Sequence, residues 1–176
     1  MGLIVEDGTG LANADAFMSL AEFKAYADAH GYDYSAYDDE AQIEPAIRRG
    51  TTYVSSSFAW PGYKVKRRAQ ALAWPRNGAV DRDGETISAD AVPAEIKSAA
   101  GEAAWYELAT GPLSPAVVLT ERVKREKIEG IEVEYASAGA TAAASLPSLP
   151  IIDMLVSGLL ASSNSGGGYS SALVRA

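Results

Sequence analysis

The chain has 176 residues, of which 48% are apolar and 22% charged, with a formal net charge of −8; this suits one domain with a hydrophobic core rather than two, and no disordered polymer. It has no cysteine and one histidine, His30, which excludes disulfides, thiol catalysis and thiolate metal sites and leaves a Ser-His triad or an imidazole zinc site almost nothing to work with. No apolar run reaches about eighteen residues, so no membrane span is expected, and residues 1–10 lack the basic-then-apolar order of a signal peptide.

In chain order, residues 1–13 read as extended, with Leu3, Ile4 and Val5 apolar and Asp7-Gly8-Thr9-Gly10 as a turn. Ser19 followed by Glu22 has capping-box spacing and opens a helix that Gly31 closes, with Leu20, Phe23, Tyr26 and Ala27 on one face. A tyrosine-rich turn region (Tyr32, Tyr34, Tyr37) leads to a second helix over roughly residues 40–57, its inner face Ile43, Ile47, Thr51 and Val54. Pro45 is tolerated there only in a first turn, which would move the helix start to Glu44.

Between residues 58 and 89 the helical period is lost among Trp60-Pro61-Gly62, Trp74-Pro75-Arg76-Asn77-Gly78 and Asp81-Arg82-Asp83-Gly84, which predicts a long ordered loop held by its tryptophans. Pro93 begins a third helix that Gly111-Pro112 stops near Thr110, with a stripe of Ile96, Ala100, Ala103, Ala104 and Leu108. Alternation of Ile131, Val133 and Tyr135 with Glu132 and Glu134, behind Glu129-Gly130, predicts a β-hairpin within residues 117–135. An Ala/Ser linker (136–145) precedes a short helix over 151–161 that is apolar on most sides, and residues 162–176 form a Ser/Gly-rich tail. The expected fold is therefore mainly α: a small helical bundle with a long ordered loop, a β-hairpin insertion and an extended C-terminal tail. Residues 1–146 make the helical domain, and 147–176 a docking helix with a flexible tail.

Charge is uneven along this chain. Residues 1–44 hold ten acids against Lys24 alone, whereas residues 60–80 hold Lys64, Lys66, Arg67, Arg68 and Arg76 with no acid. With Trp60, Tyr63 and Trp74 interleaved, that stretch is the candidate nucleic-acid site, since rings stack on bases and cations neutralise phosphates. The competing reading is that the tryptophans pin the loop to the core while the cations meet solvent or an acidic neighbour. Asp81, Asp83, Gly84 and Glu85 lack the acids of a calcium loop and read as a turn. His30 reads as a helix-end group. No catalytic, cofactor or metal site is expected. The apolar C-terminal helix is either buried in its own core or docked on another protein. The docking alternative would use Ile151, Ile152, Leu155, Leu159 and Leu160, with Tyr169, Leu173, Val174 and Arg175 on a tail able to reach about 50 Å.

Several strings together resemble one family of tailed-phage proteins: Leu3-Ile4-Val5-Glu6-Asp7-Gly8-Thr9-Gly10, Ala12-Asn13-Ala14-Asp15-Ala16-Phe17 with Ser19, Ala46-Ile47-Arg48-Arg49-Gly50-Thr51-Thr52-Tyr53-Val54, Gln70-Ala71-Leu72-Ala73-Trp74-Pro75-Arg76, the Val92-Pro93 helix start and Gly130-Ile131-Glu132-Val133-Glu134-Tyr135. The family is often labelled DnaT-like single-stranded DNA-binding protein, and its members look like head–tail connector (adaptor) subunits. The resemblance covers about residues 3–160, and Ala71-Leu72-Ala73-Trp74-Pro75-Arg76 is its most specific part. It implies a non-enzymatic virion protein, made in the host cytoplasm and placed in the neck as a ring of about twelve copies. Its implied partners are the portal protein, the next neck or tail protein (stopper or tail completion), further copies of itself, and double-stranded DNA passing through the channel without sequence-specific binding. Twelve such copies would carry about −96 formal charges, which disfavours DNA sticking to a channel wall. The alternative implied by the label is a single-stranded DNA binder in phage replication, using the residue 60–76 stretch.

Overall fold

A computed structural model describes residues 2–113, 125–128, 131–134 and 149–160, the two short strands by their backbone alone. It is mainly α. The described helices are α1 (Leu20–His30), α2 (Glu44–Ser57), α3 (Ala94–Ala109) and α4 (Pro150–Val156). Two antiparallel ribbons accompany them: β1 (Tyr63–Lys64) with β2 (Arg76–Asn77), and β3 (Arg125–Ile128) with β4 (Ile131–Glu134).

Local chemistry accounts for the helix ends. The Ser19 hydroxyl accepts from the Glu22 amide while the Glu22 carboxylate accepts from the Ser19 amide, completing the capping box of α1. Gly31 ends that helix at φ 71°, its N–H returning to the carbonyls of Ala27 and Asp28. The second helix is divided as Pro45 demands: one wide turn, Asp39–Ile43, capped by the Asp38 carboxylate, then α2 from Glu44 with the proline in its first turn. All four expected inner residues of this segment, Ile43, Ile47, Thr51 and Val54, are fully buried. Thr51 satisfies its hydroxyl there by accepting the Phe17 N–H at 3.1 Å.

The bundle centres on α2 against α3. Gly50 lies so close to the partner backbone that a Cβ would stand 2.7 Å from the Ala104 nitrogen and 2.8 Å from the Ala100 oxygen. The small residues of α3 (Ala99, Ala100, Ala103, Ala104), all fully buried, permit that approach. An Arg49–Glu107 ion pair at 2.5 Å ties the same two helices at their rim.

On either side of this crossing lies one part of the core. Around the N-terminal half of α2, Phe23 and Ala27 of α1 meet Ile43, Ala46 and Ile47, with Tyr26, Tyr32, Tyr34, Tyr37 and Trp105 packed around them. Glu102 is buried here, and its carboxylate accepts the phenols of Tyr26 (2.7 Å) and Tyr32 (2.9 Å). Tyr32 also stacks on Trp105 at 4.7 Å. Around the C-terminal half of α2, Val54 meets Leu72, Ala73, Trp74, Ile96 and the inner face of α4.

The C-terminal helix is thus part of this core. It begins at Pro150, one residue earlier than expected, and ends in a tight turn at Ser157–Leu159. Leu149, Ile152, Val156 and Leu159 are buried among α3 residues, while Ile151 and Met154 face outward. The hairpin falls where alternation placed it, with Ile128 opposite Ile131. The linker (136–145) and the tail (162–176) lie outside the described residues. Among the described residues no helix is long and apolar enough to cross a membrane.

Two measurements check this packing. Glycine to alanine inside a helix ordinarily adds up to about 1 kcal/mol, but overpacking costs about 1–3 kcal/mol. Because the atoms facing Gly50 are backbone and cannot rotate away, Gly50→Ala is expected to lower stability by about 1–2 kcal/mol in urea denaturation. Burial, together with the Glu102 carboxylate, raises the phenol pKa values of Tyr26 and Tyr32 above the ordinary tyrosine value. A raised folded-state pKa contributes stability that is complete below the unfolded value of about 10 and is lost as pH climbs above it. Stability should therefore fall above about pH 10, and Tyr26→Phe with Tyr32→Phe should flatten that fall in denaturation curves recorded across pH.

Candidate functional site

The loop from Phe58 to Val80 carries the basic and aromatic residues that sequence singles out, and the structure divides them into two sets. One set faces inward. Trp74 is fully buried, joined to Pro75 by a cis peptide bond, and meets Trp60 edge-on at 5.8 Å; Trp60 in turn contacts Phe58 at 5.4 Å. Trp74 therefore offers no ring face as a platform, and Trp60 is half-buried against it. Arg76 is also turned inward: its guanidinium donates to the backbone carbonyls of Pro61, Gly62 and Ala73, the last two at 2.8 and 3.1 Å. Lys64 donates to the carbonyls of Gln70 and Ala71, both at 3.2 Å. Burial pushes the pKa of Arg76 down, and burial together with the neighbouring Arg76 does the same for Lys64. Both cations are half-buried and hold the loop together through its own carbonyls.

A buried glutamine and a buried glutamate complete the frame. Gln70 donates to the carbonyls of Leu72 and Pro75, both at 3.0 Å, and its side-chain oxygen accepts the Lys66 N–H. The Glu6 carboxylate accepts three backbone N–H groups, those of Gly8, Gly10 and Leu11, at 2.9–3.0 Å. Gly8 is needed at φ 98°, where a Cβ would collide with the Asp90 carbonyl. The Ala71 N–H then donates to the Leu11 carbonyl, fastening the basic loop onto this turn. The sequence showed Glu6 only as one of ten acids in residues 1–44 and did not single out Gln70 or Glu102. An acid placed just before two alternate glycines is the signal that could have marked Glu6.

The other set faces outward: Tyr63, Lys66, Arg67 and Arg68 are exposed. Arg67 adopts φ 53°, rare for a side-chain-bearing residue, and its guanidinium lies over the Tyr63 ring at 3.6 Å. Among the described residues none of these three cations has an ion-pair partner. The site is therefore a short cationic edge with one aromatic ring already covered by its own arginine.

Other candidates resolve more simply. The Asp81 carboxylate accepts the N–H groups of Asp83 and Glu85, as a turn requires. His30 is exposed and stacks on Tyr26 at 4.0 Å. Among the described residues no group of three or more His, Cys, Asp or Glu side chains could hold a metal ion. Of the C-terminal docking candidates, Ile152 and Leu159 are core residues, Leu155 and Leu160 are half-buried against it, and Ile151 alone is exposed. Ile152 and Leu159 are thus buried within this chain. Tyr169, Leu173, Val174 and Arg175 lie outside the described residues.

With this geometry in place, the comparison with known proteins has a clear result. The whole chain, residues 1–176, matches the family described as "Putative DnaT-like ssDNA binding protein". The chain belongs to that family. Neither a curated protein nor a solved structure matches it.

The inward pins set the expected effect of mutation in this member of the family. Arg76→Ala removes the donor for four loop carbonyls, those of Trp60, Pro61, Gly62 and Ala73, and hydrogen bonds to a charged group contribute about 1.5–3 kcal/mol each before solvent recovers part. A loss of about 2 kcal/mol in urea denaturation is expected, against less than about 0.5 kcal/mol for exposed Arg68→Ala.

Proposed function

We propose that this protein is a non-enzymatic head–tail connector subunit of a tailed phage. In this reading it sits in the virion neck between the portal protein and the next neck or tail protein, assembled with copies of itself around the DNA channel. One observation carries the reading: Trp74 is fully buried and Trp60 is half-buried against it, so the loop exposes mainly charge, with Tyr63 as its exposed ring. An exposed charge cluster on a chain of net charge −8 fits an acidic protein surface better than a polyanion that the rest of the molecule repels. The sequence resemblance to adaptor subunits supports the same conclusion.

The family's own description favours a second reading, single-stranded DNA binding. Its specific support here is the edge formed by Tyr63, Lys66, Arg67 and Arg68, which could follow a phosphate backbone without deep stacking.

Mass spectrometry of purified particles separates the two by counting this chain against portal protein. Near-equal copies are expected of a connector; absence from particles, with the protein abundant in infected cells, overturns that reading. In the same test series, oligothymidylate binding by fluorescence anisotropy checks the second reading. If it is right, the triple variant Lys66→Ala, Arg67→Ala, Arg68→Ala reduces the log–log salt slope by about 2, three cations at about 0.7 each.

A further inference from the structure

The exposed cations have a counterpart elsewhere on the same molecule. At the N-terminal end of α2, the end of α1 and the tyrosine-rich turn present Asp28, Asp33, Asp38 and Glu40, all exposed. Asp38 and Asp33 also accept neighbouring backbone N–H groups, and other acids are taken up further: Glu6 is buried under backbone amides, Asp15 pairs with Arg48, Glu22 with Lys97 and Asp39 with Lys24. None of the four exposed acids forms an ion pair among the described residues. The acidic surface lies over the part of the core built on α1, and the basic edge belongs to the loop packed on the other part.

Those two parts of the core pack on opposite halves of α2, a helix of 14 residues. At physiological salt screening acts over about 8–10 Å, and no ion pair joins the two surfaces within one molecule among the described residues. Each meets its complement when the basic edge of one copy faces the acidic surface of the next. Two different surfaces in contact make a heterologous, head-to-tail interface, which closes into a ring or continues as a filament.

We infer that Lys66, Arg67 and Arg68 of one copy dock on the Asp28, Asp33, Asp38 and Glu40 surface of a second copy. The inference rests on the connector reading and names the self-contact that reading requires. Arg67 lies flat on Tyr63, so the edge is partly ordered before it meets a partner.

Charge exchange in the full-length chain tests the inference, read by sedimentation velocity at low and high salt. The wild type is expected to self-associate at low salt and to weaken as salt rises. Lys66→Glu with Arg68→Glu, and separately Asp28→Lys with Glu40→Lys, should each weaken association by at least about tenfold. Mixing the two variants restores opposite charges across the contact, so association should return in the mixture. These positions are exposed and outside the core, and unchanged far-UV circular dichroism and melting temperature confirm that each variant is folded. A wild type that stays monomeric at low salt, variants that associate as wild type does, or a mixture that fails to recover each overturn the inference. Loss of oligothymidylate binding with self-association intact also overturns it, assigning the edge to nucleic acid. Particle counting keeps the two levels apart: portal-like copy number with no charge rescue sinks the interface and leaves the connector reading, whereas charge rescue with absence from particles does the reverse.

Discussion

The close contact of α2 with α3 at Gly50 is the constraint on which the rest of this fold depends. Two helix backbones can approach this closely only where neither carries bulk at the crossing, and here a glycine meets a run of alanines. With the axes held together, side chains above and below the crossing cannot share one pocket. Large residues collect instead on either side: the α1 and tyrosine group around Ile43 and Ile47, and the loop and α4 group around Val54 and Trp74. The two ends of α2 therefore acquire different neighbours and, through them, different surfaces.

Polar groups inside the fold do comparable work. Glu6 gathers three backbone amides, Gln70 and Arg76 hold the carbonyls of the loop, and Glu102 receives two phenols. Each takes a backbone or side-chain group that an irregular segment would otherwise bury without a partner. A loop without regular secondary structure can stay ordered on these terms. The residues that do this are chemically the same types that would bind a ligand, and their partners within the chain are what distinguish the two roles. For Trp60, Trp74, Lys64 and Arg76 that distinction falls on the side of structure.

Among the described residues two exposed surfaces differ in charge, a cationic edge on the loop and a set of acids near α1. Membership of a family described by single-stranded DNA binding and the proposed place in a phage neck draw on this same edge. They differ in what opposes it. A nucleic acid rewards exposed rings and net positive charge, while a protein surface of opposite sign rewards the local arrangement alone. Arg67 lies over one face of the exposed Tyr63 ring, and the chain carries a net charge of −8.

The sequence by itself determined the helical content, the capped start of α1, the proline-set start of α2, the inner face of that helix and the hairpin. These features rest on short-range spacing and backbone chemistry, which neighbouring residues specify. Only the tertiary structure decided that Arg76 and Lys64 point inward while Lys66, Arg67 and Arg68 point outward, because an irregular loop has no period from which to read a face. It also decided which of the ten N-terminal acids are already engaged, since Glu22 with Lys97 and Asp15 with Arg48 meet across long stretches of chain. The outward turn of Ile151 and Met154 was hidden for a different reason: a short helix apolar on most sides carries no sign of which side is buried until α3 is laid against it.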